Sequence, residues 1–365
     1  MYHGMLTVYK EKGYTSSDAV ARLRGILRMR KIGHTGTLDP DAEGVLPMCL
    51  GNATRICELI ADREKEYTAV MRLGIRTDTQ DMSGTVLEEI PDREVEARLG
   101  PPAEAAQRIR EAADRLTGQI DQIPPMYSAV KINGKRLYDM ARKGITVERK
   151  PRRITIYGIE IEEVSLPLVT MRIRCSKGTY IRTLCEDMGA ILGTGAAMQR
   201  LLRMRVGQFT LHEARTLDEL ERLAKTEPER LAALIRPVDS FFADYPAAAC
   251  APDEEKLLKN GNALRRTRIR FLTGDQDPLA PDMNAGYRAD SGTDRPAEQV
   301  HPGAPDQAAA AGQKITAASE QLLPGISPGD EVVRMYDSAG RFFGLYRRPV
   351  GKNMYTSFKM FIPED

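Results

Sequence analysis

Apolar and polar positions divide the chain into two regions of regular pattern with one unpatterned stretch between them. Val20, Leu23, Ile26 and Leu27 fall on one face of a 3.6-residue repeat, and Ser16 or Ser17 can cap the helix they define. Val169, Met171, Ile173 and Cys175 alternate strictly with Thr170, Arg172 and Arg174, the signature of a half-buried strand. A turn at Ser176-Lys177-Gly178 follows, then a helix expected to turn Leu184, Met188, Ile191 and Leu192 inward. Helices and strands alternate in this manner to residue 240. Further on, residues 254–264 read as a short helix and turn. Residues 331–335 and 342–346 read as strands joined by the turn Asp337-Ser338-Ala339-Gly340.

Residues 274–328 break the pattern. They hold 11 Ala, 7 Pro and 6 Gly among 55 residues, with 8 acids against 3 bases. Such a stretch buries too little apolar surface to offset its ordering entropy, so it is expected to be a disordered insertion. The 365-residue length then implies two domains: residues 1–240, and a small β-rich domain over 245–365 interrupted by the insertion.

The formal charge of +2 hides an uneven distribution. Residues 122–182 carry 13 Lys/Arg against 5 Asp/Glu. Arg22, Arg24, Arg28, Arg30 and Lys31 form a second basic run, and Arg200, Arg203 and Arg205 a third. Polyanion binding requires basic surface of this kind, although each cluster alone also fits a solvated helix face. No apolar run approaches the ~18 residues of a membrane helix. Met1–Lys12 lacks the basic and apolar succession of a secretory signal. The five cysteines, with no CxxC pair, argue against a disulfide framework or zinc site and favour a reducing cytoplasm.

The candidate chemistry lies in Gly33–Pro47, GHTGTLDPDAEGVLP, whose glycines, prolines and polar side chains predict a structured loop. It lacks the lysine of a phosphate-binding P-loop. It begins like a calcium loop at Asp39-x-Asp41-x-Glu43-Gly44, but Leu50 stands where the bidentate glutamate belongs. An ordinary turn-rich loop and a loop presenting one catalytic carboxylate remain. The four histidines are scattered and show no metal-ligand spacing, so no metal is expected.

This loop resembles the second motif of the TruB family of pseudouridine synthases, which modify uridine 55 in the T loop of tRNA. Five further stretches resemble the family in order: Lys10–Val20 (KEKGYTSSDAV, with Glu11 where proline is usual), Lys65-Glu66-Tyr67, Gly74–Gly84 (GIRTDTQDMSG), Gln122–Arg142 (QIPPMYSAVKINGKRLYDMAR) and Ser176–Leu184 (SKGTYIRTL). The resemblance implies an α+β pseudouridine synthase fold, with a mixed, mostly antiparallel sheet, helices and a central RNA cleft, followed by a PUA-like C-terminal domain. It implies that Asp39 is the catalytic carboxylate, that Tyr67 stacks on the target base and assists at C5, and that Arg182 pairs with Asp39. A cation in the first turn of a helix opposes its dipole, which itself calls for a compensating anion. Tyr180 and Leu201 would line the uridine pocket, and Lys65 would contact substrate. Leu202 stands where the family more often has arginine, so the resemblance does not carry a phosphate or salt-bridge contact to that position, though it still carries the pocket wall.

The resemblance gives His34 a stacking role, filling the place of the flipped-out uridine, and not that of a general base. Lys131, Lys135 and Arg136, interleaved with Tyr127 and Tyr138 in an RNA-gripping insertion at 122–148, suit phosphates and exposed bases. The isomerisation is redox-neutral, so no cofactor is expected. The partner implied is the T arm of tRNA, with no membrane, no obligatory protein partner and a monomeric enzyme. Two rivals share the motifs: a guide-RNA-dependent synthase subunit, and a tRNA-binding or folding factor whose catalysis is secondary.

Overall fold

The computed structural model describes residues 1–132, 134–279, 323 and 325–362. They form two compact units, Met1–Val238 and Asp239–Asp365. The first is built on a nine-stranded sheet. Its main path runs Gly4–Lys10, Glu43–Leu50, Ala196–Val206, Lys65–Leu73, Leu168–Cys175, Arg152–Ser165 and Gly118–Gln122. Two short strands, Ile32–His34 and Phe209–Thr210, lie off this path. All pairings along it are antiparallel except the one between Glu43–Leu50 and Ala196–Val206.

Period-two burial runs through the sheet centre. Lys65, Tyr67, Ala69, Met71 and Leu73 face inward on one strand, and Val169, Met171, Ile173 and Cys175 on its neighbour. They pack with helices Pro102–Arg115 and Ile181–Leu192 into one core. A second core joins Gly4–Lys10 and Glu43–Leu50 to helices Ser16–Leu27 and Leu217–Thr226. The parallel junction is short, pairing Leu202 with Glu43 and Arg203 with Gly44. Gly44 has φ +107°, and a Cβ there would overlap the Arg203 carbonyl oxygen. Glycine is therefore required where the loop that carries Asp39 rejoins the sheet.

Three sequence expectations about this unit are corrected. Thr15, not Ser16 or Ser17, caps the first helix, in a reciprocal capping box with Asp18. Ser16 is instead buried, its hydroxyl committed elsewhere. Ile191 is exposed, because the inward face of its helix is filled by Leu184, Cys185, Met188 and Leu192. The third basic cluster is not a common phosphate surface: Arg203 is fully buried and Arg205 pairs with Glu64 and Glu66, while Arg200 stays exposed.

The second unit is a six-stranded sheet ordered Leu264–Arg265, Met354–Met360, Phe342–Arg348, Glu331–Tyr336, Ala247–Cys250 and Ile269–Leu272. Its buried Arg334 donates to the Tyr245 carbonyl and pairs with Asp277 at 2.6 Å. Leu323 and Ile326 are buried as well. The two ends of the expected insertion, 274–279 and 325–328 with Leu323, thus belong to the folded unit, because an arginine removed from water needs its anion. The remainder of that expectation, residues 280–322 and 324, lies outside the described residues.

A deletion series follows from this ion pair. Excising 280–322 with a short Gly/Ser bridge should leave the unfolding midpoint nearly unchanged, as the composition of that stretch predicts. Excising 274–328 removes Asp277 and should destabilise by about 3–5 kcal/mol, as expected for a stranded buried charge. Urea unfolding of the two deletions, with Asp277→Ala as a third sample, checks the difference.

Candidate active site

The Asp39 loop is pinned on both sides of its carboxylate. The Ser16 hydroxyl accepts from the Leu38 N–H at 2.9 Å and donates to the Leu38 carbonyl at 3.3 Å. The Pro40 carbonyl accepts from the Gly13 N–H at 2.9 Å and from the Lys10 ammonium at 3.1 Å. Lys10 also donates to the Tyr14 and Glu11 carbonyls. A turn closed by Ala42 N–H on Asp39 O leaves the Asp39 side chain projecting.

It projects toward Arg182, in the first turn of helix Ile181–Leu192. Arg182 Nε and Asp39 Oδ2 are 2.9 Å apart. The arginine side chain is 5% exposed and the aspartate 38%, so the cation is buried while the anion stays accessible. The other guanidinium donors are taken by main chain: Nη1 by the Thr79 carbonyl at 2.9 Å and Nη2 by the Tyr127 carbonyl at 2.8 Å. Asp81 Oδ2 is a second carboxylate, 3.7 Å from Nε. Together these acceptors offset both desolvation and the unfavourable helix dipole.

Asp39 and Arg182 line a cavity of about 270 Å³ with Tyr67, Tyr180, Leu201 and Lys65. Burial pushes the Tyr67 phenol up to about 12, against the opposing pull of the Arg203 guanidinium, so Tyr67 is a neutral phenol at physiological pH. Arg203 donates to the Val45 carbonyl at 2.7 Å and the Gly36 carbonyl at 3.3 Å, bracketing the Asp39 loop. Tyr180 is set by the Gln122 side-chain amide, which accepts from its N–H at 2.8 Å and donates to its carbonyl at 3.1 Å. A larger open cleft of about 830 Å³, between helices Ser16–Leu27 and Leu217–Thr226, contains none of these residues.

Not every residue singled out from sequence reaches the cavity with a free functional group. The Lys65 ammonium lines it but donates to the Ala61 and Arg63 carbonyls. His34 is absent from the lining. Its Nδ1 accepts from the Gly36 N–H at 3.3 Å, and burial lowers its pKa, which keeps the ring neutral. Lys131, Lys135 and Arg136 stand exposed on a small hairpin outside the cavity, although Ser128 and Ala129 from the same segment line its wall. Sequence reasoning missed Ser16, Thr79, Asp81 and Arg203 as supports. Only Asp81, inside the quoted stretch GIRTDTQDMSG, carried a visible signal as a second aspartate. Among the described residues, no cluster of three or more His, Cys, Asp and Glu side chains could hold a metal ion, and no helix is long and apolar enough to cross a membrane.

Burial lowers the Lys10 and Lys65 ammonium groups to about 8. The unfolded chain keeps these protons up to about pH 10.4, so between about pH 8 and 9 the folded state binds fewer and stability should rise. Above pH 9 the buried Cys175 and Cys185 thiols, pushed up to about 12, oppose that trend. NMR titration of lysine side-chain signals, with Lys65→Met as assignment control, should find two lysines near pH 8. Titration of both near their unperturbed value would contradict this electrostatic picture.

Comparison with known proteins places the chain in a family. The family model for the TruB family pseudouridylate synthase N-terminal domain matches residues 24–181, and that for the tRNA pseudouridylate synthase B C-terminal domain matches 182–243. The chain is 49% identical to a tRNA pseudouridine synthase B of Lachnoclostridium phytofermentans over 99% of this chain and 100% of that protein. It is 41% identical to one of Clostridium tetani over 73% and 87% of the respective chains. Among solved structures, an H/ACA ribonucleoprotein bound to a substrate RNA containing 2′-deoxyuridine aligns over 100% of this chain and 86% of the other, with TM-score 0.60 at 21% identity. A Cbf5-Nop10-Gar1 complex aligns over 99% and 85%, with TM-score 0.60 at 24% identity, and both likenesses are of fold. With two consecutive family models and a relative matched end to end, the chain belongs to the TruB family of pseudouridine synthases.

Proposed function

We propose that this enzyme isomerises uridine 55 in the T loop of tRNA to pseudouridine, with Asp39 as the catalytic carboxylate. The observation that carries the reading is the accessible Asp39 carboxylate, held 2.9 Å from a buried arginine at a cavity with room for one nucleoside. The reaction breaks the glycosidic bond, turns the base and joins C5 to C1′. Substrate and product are isomers, so no redox equivalent, water or external nucleophile is consumed. A carboxylate suits such a step because it can stabilise or bond a cationic centre and leave again. Arg182 orients Asp39. Tyr67 serves as a ring to stack on the base and as a neutral hydroxyl. Leu201 and Tyr180 supply the pocket wall.

The exposed hairpin carrying Lys131, Lys135 and Arg136 lies outside the cavity, which suits contacts to phosphates around a flipped base and not contact with the base itself. We read residues 122–148 as the RNA-gripping segment and the six-stranded C-terminal unit as PUA-like. With its own RNA-gripping segment the enzyme works on naked tRNA as a monomer in the cytoplasm, without guide RNA, protein partner or cofactor. A pure protein that modifies tRNA only when a guide RNA is added would overturn the stand-alone reading.

Asp39→Asn should lower the single-turnover rate by at least ~10³-fold while leaving tRNA affinity near wild type, because the amide keeps the loop's shape but not its charge. Chemical mapping of pseudouridine beside filter-binding titrations decides. Substantial product from this variant removes Asp39 from its role.

Neutralising Lys131, Lys135 and Arg136 together should weaken binding and reduce the salt slope of log K by about 2, with the rate at saturation unchanged. A lower saturating rate with unaltered salt dependence would instead place this hairpin in the chemical step.

A further inference from the structure

Arg182 is served by acceptors from a different element, and one residue ties that element to the arginine's helix. The acceptors are the Thr79 carbonyl and the Asp81 carboxylate, on either side of Gln80. Gln80 has φ +65°, a left-handed conformation uncommon for a side chain of this type. That turn directs the carbonyl before it and the side chain after it to the same guanidinium. The loop is otherwise well anchored: Met198 N–H donates to Gln80 O at 3.0 Å and Met82 N–H to Met198 O at 3.2 Å. Asp81 Oδ1 accepts from Thr79 Oγ1, Ser83 N–H and Ser83 Oγ, which leaves Oδ2 for Arg182.

The Gln80 side chain reaches across to helix Ile181–Leu192. Its Oε1 accepts from Thr183 Oγ1 at 2.8 Å, and its Nε2 donates to Glu186. Thr183 is the residue after Arg182, and Glu186 lies one turn further on. The amide thus spans the gap that Arg182 must cross to meet Thr79 O, at its own end of the helix. Strained backbone at a functional site persists where the surroundings over-determine it.

We propose that Gln80 is a positioning residue for the reaction, clamping the Thr79–Asp81 acceptor loop to the Arg182 helix so that Nε stays aimed at Asp39. The proposal rests on the reading of Asp39 as the catalytic carboxylate. Gln80 touches no reacting atom. It acts through Arg182, and loosening it lets the guanidinium swing among its acceptors.

Three variants separate a clamp from a mere backbone role. Gln80→Gly relieves the positive φ and deletes the clamp, so a backbone-only role predicts wild-type activity and equal or greater stability. Gln80→Glu sets a carboxylate against Glu186. Adding Glu186→Gln to it restores an amide–carboxylate pair with the partners exchanged. Gln80→Gly and Gln80→Glu are expected to lower the single-turnover rate at saturating tRNA by about tenfold with affinity unchanged, the scale of a small misalignment of a reacting group. The double variant should recover to within about threefold of wild type, as coupled neighbours do.

In the free protein, the Arg182 Nε–Hε NMR signal should exchange slowly in wild type and the double variant, and broaden or exchange fast in the two single variants. This arm needs no turnover. A wild-type enzyme without pseudouridine activity would therefore sink the functional reading while the clamp is still decided. A Gln80→Gly protein with wild-type rate and an unchanged Arg182 signal, or a rate loss that Glu186→Gln fails to rescue, overturns the proposal.

Discussion

The site depends on a guanidinium sealed inside the sheet. Arg203 is fully buried, and a charge out of water is tolerated only where its donors find acceptors. Its acceptors are the carbonyls of Gly36 and Val45, which lie just before and just after the Asp39 turn. The demand of one buried cation therefore draws both ends of the Asp39 loop onto one strand. The Arg203 main chain meets Gly44 at the parallel junction, where a side chain would collide. The same guanidinium stands by the Tyr67 phenol, so one residue connects the loop, the sheet seam and the ring wall of the cavity.

Arg182 plays a complementary part. It is buried like Arg203, but one of its donors faces a carboxylate that solvent, and hence substrate, can reach. Two main-chain carbonyls fix the plane of the guanidinium, so the direction of Nε is not a matter of rotamer choice. For the proposed role of Asp39, this amounts to electrostatic preorganisation: its carboxylate is aimed before substrate arrives. The neutral Tyr67, with its phenol far above the working pH, adds a polar group without adding a second negative charge beside Asp39.

Basic residues in this chain serve two unlike ends. Arg203, Arg205, Arg182, Lys10 and Lys65 are tied into carbonyls or carboxylates and hold the fold of the site. Lys131, Lys135 and Arg136 are exposed. Local charge counts cannot separate these groups, because burial is decided by which strand a residue sits on and which way it faces. Arg200, Arg203 and Arg205 look alike as a cluster, yet the bulge between Arg203 and Arg205 sends them into different surroundings.

By itself the sequence determined the family, and it singled out Asp39, Tyr67, Arg182, Tyr180 and Leu201, which the fold brings to one cavity. Its motifs encode local chemistry: glycine where a Cβ would clash, a carboxylate in a proline-bounded turn, and strict alternation along the strand Leu168–Cys175. Tertiary structure decided what those residues rest on. Ser16 was legible as a helix cap, but its hydroxyl binds Leu38, 22 residues away, and Thr15 does the capping. Gln80 and Asp81 were visible only as letters in a polar stretch, and their meaning comes from a helix 100 residues later. Asp277 lay in a segment whose composition argues against order, yet it neutralises an arginine 57 residues on. In each case the deciding force is the cost of burying an unpaired polar group. That cost is set by three-dimensional neighbours, and no window along the chain contains them.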